Sequence, residues 1–245
     1  EIRLSLVGSE MCIRDRRSTM KRPSGAGHMY DFHNFALTPE QDLVVNIVIL
    51  SSLVFAILKG EKKIRHSNPL LILALVTVFC IAGRILLQPL PNIQPVTVTI
   101  ILVGIYYRSP WAIAVSGVVA LSTNLIFLGH GPWTVFQVIG WSVVGIAGSV
   151  FADKLLVDGK IALNRLMVLS VASAFAFDWI VSASILLNHD FSTFYPYLVN
   201  GLLFDVFHAL GNAAFVILLA NPLGEIMSRH RTTNRGRAVS EVVTN

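Results

Sequence analysis

Seven stretches of the chain read as apolar segments of membrane-span type, separated by polar loops. A hydrocarbon core about 30 Å thick needs about 20 apolar residues at about 1.5 Å rise each. The first stretch covers residues 43–58 and ends at Lys59 and the loop EKKIRH; the second covers 69–87 and ends in QPLPNIQP. The third, Val96–Tyr107, is short and runs into Arg108. Residues 110–128 and 132–151 follow, joined by the tight turn Gly129-His130-Gly131. A polar loop over 153–165 precedes residues 166–187, and the last stretch is 198–220. This pattern predicts an all-α, polytopic membrane helical bundle.

Composition agrees with the pattern. Of 245 residues, 54% are hydrophobic and 13% charged, against about 25% charged in soluble domains. Mean hydropathy is +0.66. These values exclude a disordered chain, a solenoid array and a secreted disulfide scaffold. Cys12 and Cys80 stand too far apart in kind and place to suggest a cysteine framework, and Cys80 reads as a buried thiol.

The net charge of +5 and a pI near 9.5 would suit a nucleic-acid partner, but the placement of the bases argues for a membrane. Twelve fall at alternate ends of the spans: Lys59, Lys62, Lys63 and Arg65; Arg108; Lys154, Lys160 and Arg165; Arg229, Arg231, Arg235 and Arg237. The intervening loops 88–95, 129–131 and 188–197 carry no Lys or Arg. By the positive-inside rule the N-terminal tail lies outside and the C-terminal tail in the cytoplasm of a cell inner (plasma) membrane. Lipid is therefore the expected surroundings, and no nucleic acid is expected.

Residues 1–17 (EIRLSLVGSEMCIRDRR) resemble a translated library or assembly leader. Residues 1–19 are set aside on that ground, with Met20 or Met29 as the expected start, and residues 20–42 read as an aperiodic tail. The remaining divisions are 43–58 as an additional helix, 69–222 as a six-helix membrane domain, and 223–245 as a basic cytoplasmic tail.

Polar residues inside the spans gather toward the outer side. They are Arg84 in the second span, Asn124 in the fourth, Gln137 in the fifth, Asp178 in the sixth, and Asn200, Asp205, His208 and Asn212 in the seventh. An ionisable group at such depth costs at least about 2.5 kcal/mol unless it faces a partner or a wet cavity. Two readings follow: a polar pocket open to the outside, or Arg84 paired with Asp178 or Asp205 as glue between helices. Trp141 lies too deep for headgroup anchoring, so it either packs or stacks on a planar ligand. Glycines and alanines in the fifth and seventh spans, including Gly140, Gly145, Gly148, Gly201, Gly211 and Ala214, predict close helix packing.

Motifs for catalysis are missing. There is no G-x-x-x-x-G-K-[ST], G-x-S-x-G or H-E-x-x-H pattern. Asp205 and His208, at i and i+3, share a helix face and could relay a proton or hold a metal, but a metal needs three or four convergent ligands. Binding without chemistry is the expectation, with no cofactor and no metal.

Residues 69–222 resemble the substrate-binding S component of energy-coupling factor (ECF) vitamin transporters. The likeness is carried by Gly83-Arg84, LPNIQPVT at 90–97, Asn124, and GHGPWTVFQVIGW at 129–141. The resemblance implies six core helices, the 43–58 helix being an addition. It implies tight binding of a micronutrient from outside and association with a T subunit and two ATPase subunits that drive import. Segment 90–95, with Asn92 and Gln94, would be a gate, and Asn124, Trp133, Gln137 and Trp141 would line the site alongside Arg84, Asp178 and Asp205. The T subunit would dock on small residues four apart on the first core helix, here Ala74 and Ala82, with Val78 departing from the pattern. The motifs look most like cobalamin-type S components, with relatives serving queuosine precursors, pantothenate or riboflavin. Two other readings remain open: a membrane scaffold of the bacterial cell-shape (elongation) machinery with a related fold, and an intramembrane enzyme centred on Asp178, Asp205 and His208.

The topology is checked by single-cysteine labelling in intact cells. A membrane-impermeant thiol reagent should modify a cysteine at His130 and leave one at Lys160 unmodified; the reverse labelling would invert the orientation.

Overall fold

The first helix of the matched apolar pattern starts where the sequence supplies both a cap and a fixed φ. The Asn68 side chain accepts from Leu71 N at 3.0 Å, and Pro69 follows at the first helical position, where its missing N–H costs nothing. The computed structural model describes residues 39–61 and 68–231. The 1–19 leader, the tail as far as residue 38, and the basic residues Lys62, Lys63, Arg65, Arg235 and Arg237 lie outside the described residues.

The helices are α1 (Pro39–Glu61), α2 (Pro69–Leu86), α3 (Val96–Tyr107), α4 (Ser109–Thr123, with a π-turn Asn124–Leu128) and α5 (Pro132–Val150). After them come the single turn α6 (Ala152–Leu155), a hairpin of β1 (Leu156–Val157) and β2 (Lys160–Ile161), α7 (Leu163–Ser182, tightening to 3₁₀ over Ala183–Leu187) and α8 (Phe194–Arg229). The molecule is an all-α membrane bundle in which neighbours run antiparallel. Its basic end carries Arg108, the hairpin and the close of α8. That arrangement is fixed by Asn68 N donating to His230 Nδ1 at 3.2 Å and by the Tyr107 hydroxyl donating to Met227 O at 3.4 Å.

Among the described residues five helical segments are long and apolar enough to cross a membrane, α2, α4, α5, α7 and α8. Of the seven stretches read from sequence, α1 offers only a shorter apolar run, Leu43–Ser52, and α3 has 12 residues. At 1.5 Å per residue α3 is about 18 Å long, well short of the bilayer core. All 12 of its residues are buried, because it lies inside the bundle against α4, α5 and α8.

Segment 87–95 makes up the missing depth. It descends between α7 and α8: Asn92 Nδ2 donates to Asp178 and to the Phe204 carbonyl, and Ile93 rests on Gly211, where an added Cβ would stand 3.2 Å from the Ile93 Cα. Asn92 adopts φ 59°, which Asn tolerates better than most residues. Leu87 and Pro95 are buried and Asn92, Ile93 and Gln94 half-buried, while Gln88, Pro89 and Pro91 are exposed, so the segment is held to the bundle along one side.

Close packing centres on α3 and α5. A Cβ on Gly104 would run into the Gly145 carbonyl, one on Gly145 would stand 2.5 Å from the Ala112 methyl, and one on Gly148 would stand 2.5 Å from the Ile101 carbonyl. Gly140 accepts the Phe177 ring in the same way. Gly201 and Ala214, by contrast, are not in such contacts.

Three stretches differ from the sequence expectation. Residues 39–42, read as the end of the tail, are helical and open α1. The loop after α5 contains the hairpin, turned by Asp158 at φ 52° and Gly159 at φ 76°, a type I′ pair. The last helix also does not stop near residue 220: α8 passes through Pro222 to Arg229, with Leu223, Gly224, Ile226 and Met227 buried. Gly224 lets Ile161 of the hairpin lie directly on it. That packing holds residues 223–229 in the helix.

Bulk added at the α3–α5 contact should be costly. Gly145→Val is expected to destabilise the protein by about 2 kcal/mol or more, the scale of overpacking a tight core. Gly117→Ala, where nothing lies within 4 Å of the added methyl, should be tolerated. Detergent-solubilised thermal unfolding of both variants checks this.

Candidate functional site

The polar side chains of the helices meet in one layer at the end opposite the basic loops. Arg84, in the last turn of α2, is 5% exposed. Its Nη1 donates to Thr123 Oγ1 on α4, and its Nη2 donates to Gln137 Oε1 on α5 at 3.1 Å. Asn124 sits where α4 loosens into its π-turn, and its Nδ2 donates to the same Gln137 oxygen at 2.7 Å and to Thr134 Oγ1 at 2.8 Å. The Arg84 guanidinium carbon lies 5.0 Å from the centroid of the Trp141 ring, within cation–π range.

Trp141 connects this cluster to a second one. Its Nε1 donates to Thr97 Oγ1 at 3.3 Å, and the same oxygen lies 2.9 Å from His208 Nε2 on α8. His208 Nδ1 lies 2.9 Å from Asp178 Oδ2 on α7. Asn92 Nδ2 is 3.2 Å from both Asp178 oxygens, so the re-entrant segment closes the cluster. Phe177 stacks on Trp141 at 4.6 Å and meets His208 edge-on at 5.5 Å.

The hydrogen bonds assign one proton position. A carboxylate accepts, so His208 Nδ1 carries the proton that Asp178 receives. Thr97 Oγ1 accepts from Trp141 and shares a second hydrogen bond with His208 Nε2, whose direction follows the imidazole tautomer. The result is a carboxylate–imidazole–hydroxyl chain across α7, α8 and α3, with Thr97 only 1% exposed. Such a chain can hold or pass a proton. The guanidinium on the other side of Trp141 can hold an oxyanion.

The structure brings six of the expected site residues together in this layer: Arg84, Asn92, Asn124, Gln137, Trp141 and Asp178. Asp205 adjoins it, buried, and accepts from Trp179 Nε1 at 3.0 Å. Arg84 is paired with neither Asp178 nor Asp205. Gln94 is half-buried and outside the hydrogen-bonded layer, and Trp133 folds back over Gly131 with its ring partly exposed. Asn200 is exposed, while Asn212 donates to the Ser170 carbonyl at 2.9 Å elsewhere in the α7–α8 contact. On α2, Ala74 and Val78 are exposed and Ala82 half-buried. Among the described residues no group of three His, Cys, Asp or Glu is placed to hold a metal.

Sequence reading missed Thr97, Thr123, Thr134, Phe177 and Trp179, and it set His208 beside Asp205 when its partner is Asp178. A threonine in an apolar helix carries no signal of its own. The Asp178–His208 pairing depends on the relative register of α7 and α8, which no spacing within one helix reveals. At the basic end, a cleft of about 440 Å³ opens between the hairpin and α8, lined by Tyr106, Lys160, Ile161, Asn221 and Gly224.

Residues 64–231 match a family of unknown function, DUF6580. The chain belongs to this family. The match begins between α1 and α2, so the DUF6580 region comprises the five long helices α2, α4, α5, α7 and α8 with the short α3, and leaves α1 outside. No curated protein and no solved structure matches the chain.

Thr97→Val keeps the shape of the side chain and removes its hydroxyl, leaving Trp141 Nε1 and His208 Nε2 without partners. The expected loss is about 1–3 kcal/mol of stability, the cost of unmatched buried groups. Thr97→Ser should stay near wild type. Unfolding in detergent of the two variants reads the difference.

Proposed function

We propose that this DUF6580 protein is a membrane receptor for a small micronutrient of the vitamin class, working as the S component of an ECF-type importer. The observation that carries the reading is the convergence of polar side chains from all six core helices and the re-entrant segment on one layer, at the end away from the basic loops. Packing needs no such convergence. Groups that are costly in hydrocarbon are collected where the three loops free of Lys and Arg give access from outside.

In this reading the protein is not itself an enzyme and uses no cofactor. Segment 87–95 is the gate: Asn92 and Ile93 hold it down, and the ligand exchanges with the bonds that Asn92, Asn124 and Gln137 make to their neighbours. Energy comes from a T subunit and two ATPases. The T subunit docks on the strip of α2 formed by Ala74, Val78 and Ala82, the first two exposed and the third half-buried. The membrane is the bacterial inner membrane, with the C-terminus cytoplasmic. Cobalamin is the vitamin to which the sequence resemblance points.

The test is calorimetry and native mass spectrometry on the full chain in detergent, without ATP, against a panel of vitamins that includes cobalamin. Tight binding of one member is expected. Gln137→Ala and Asn124→Ala should each weaken it by more than about 1 kcal/mol, the net scale of a hydrogen bond. Unchanged affinity in both variants would remove these residues from the site, and a protein that binds no vitamin would end the receptor reading.

A second reading, an intramembrane enzyme, draws on the Asp178–His208–Thr97 chain, whose order is that of an acid–base–nucleophile triad. It requires turnover that disappears in His208→Ala while the fold persists. The hydrogen bond from Trp141 to Thr97 counts against it, since it occupies the oxygen that would attack.

A further inference from the structure

Arg84 is a buried cation whose neighbours supply no negative charge. Among the described residues no carboxylate lies within 4.0 Å of it. The carboxylates of the layer are engaged elsewhere: Asp178 by His208 and Asn92, and Asp205 by Trp179. A guanidinium has five N–H donors. Here Nη1 and Nη2 each meet one neutral oxygen, and Nε, fully buried, meets no acceptor.

Both neutral oxygens are already engaged. The Thr123 hydroxyl accepts from Arg84 and donates to the Val119 carbonyl at 2.7 Å. Gln137 Oε1 already takes two donors, Arg84 and Asn124. A charge left this way in a membrane interior is costly. A structural cation would be relieved by one carboxylate in place of Gln137 or Thr123, yet both positions are neutral. On one side the guanidinium packs on the face of Trp141. Its unmet Nε–H, with the Nη proton on the same edge of the guanidinium, is the forked donor pair that fits a carboxylate or a phosphate.

We infer that Arg84 is the anchor for an anionic group on the ligand, a carboxylate or a phosphate, which enters as the missing counter-ion. This rests on the receptor reading and narrows its ligand class. Binding then does two things at once. It neutralises the cation, and it replaces the strained compromise with neutral acceptors by charge-assisted hydrogen bonds. Trp141 is positioned to cover the part of the ligand next to the anion. The affinity of the site thus comes largely from a charge the protein has already buried before the ligand arrives, so the desolvation cost of the guanidinium falls on folding and not on binding.

The experiment uses the full chain in detergent with matched acid and neutral probes: biotin and biotinamide, pantothenate and panthenol, nicotinate and nicotinamide, and pyridoxal 5′-phosphate with pyridoxal. Calorimetry is expected to find at least one acid that binds about tenfold or more tightly than its neutral counterpart. The phosphate pair, set against the three carboxylate pairs, separates the two oxyanions. Arg84→Gln should weaken that acid by about thirtyfold or more, the scale of unpairing a buried charge, and Arg84→Lys should recover part of the loss. Gln137→Glu places a carboxylate beside the guanidinium and keeps a check in hand if Arg84→Gln does not fold; it should give a folded protein that no longer takes the acid. The inference is overturned if no acid outbinds its neutral partner, or if the acid binds Arg84→Gln or Gln137→Glu as well as wild type. A neutral vitamin bound as tightly as its acid would sink the anion anchor and leave the receptor reading standing, whereas no binding by any probe or vitamin would sink both.

Discussion

A hydroxyl buried in a membrane interior must find its donor and its acceptor within the protein, and the Thr97 hydroxyl finds them on two different helices. Trp141 of α5 donates to it and His208 of α8 shares a hydrogen bond with it. The two polar clusters are otherwise separate, one around Arg84 and one around Asp178. Through this one oxygen the Trp141 ring is held where it can face the guanidinium, and the imidazole is held where it can face the carboxylate. Thr97 can occupy that place only because α3 begins at mid-depth, and α3 begins there because segment 87–95 has already carried the chain inward.

That descent depends in turn on small residues. Gly211 admits Ile93 of the re-entrant segment, and Gly104, Gly145 and Gly148 bring the backbones of α3 and α5 to contact distance. Without a hydrophobic force between helices in lipid, such close contacts supply much of the association energy. The short helix is thereby sealed on every side, and its 12 residues need no polar face. The apolar sequence of α3, without amphipathic period, is the expected signature of a helix with no exposed side.

Much of this was legible in the chain. The apolar runs locate α2, α3, α4 and α5 to within a residue or two, because proline, asparagine and glycine punctuate their ends. The depth of Arg84, Asn124, Gln137 and Asp178 follows from counting along each run, and their common layer follows from antiparallel alternation. Other features were hidden for physical reasons. The hairpin rests on an Asp-Gly turn that the surrounding charged loop obscured. The extension of α8 past Pro222 is held by Ile161 and Gly224, a contact far apart in sequence. The threonines of the site look like any other β-branched residue in a span. The partner of His208 is set by how α7 lies against α8, so no local pattern could name it.

The single residue Arg108 joins α3 to α4 with φ 72° and ψ 173°, a backbone state that suits glycine. With Tyr107 helical on one side and Ser109 on the other, this joint has no spare length. The innermost helix and its neighbour therefore behave as one folded hinge-less bracket, and any sliding of α3 along its axis would have to drag α4 with it.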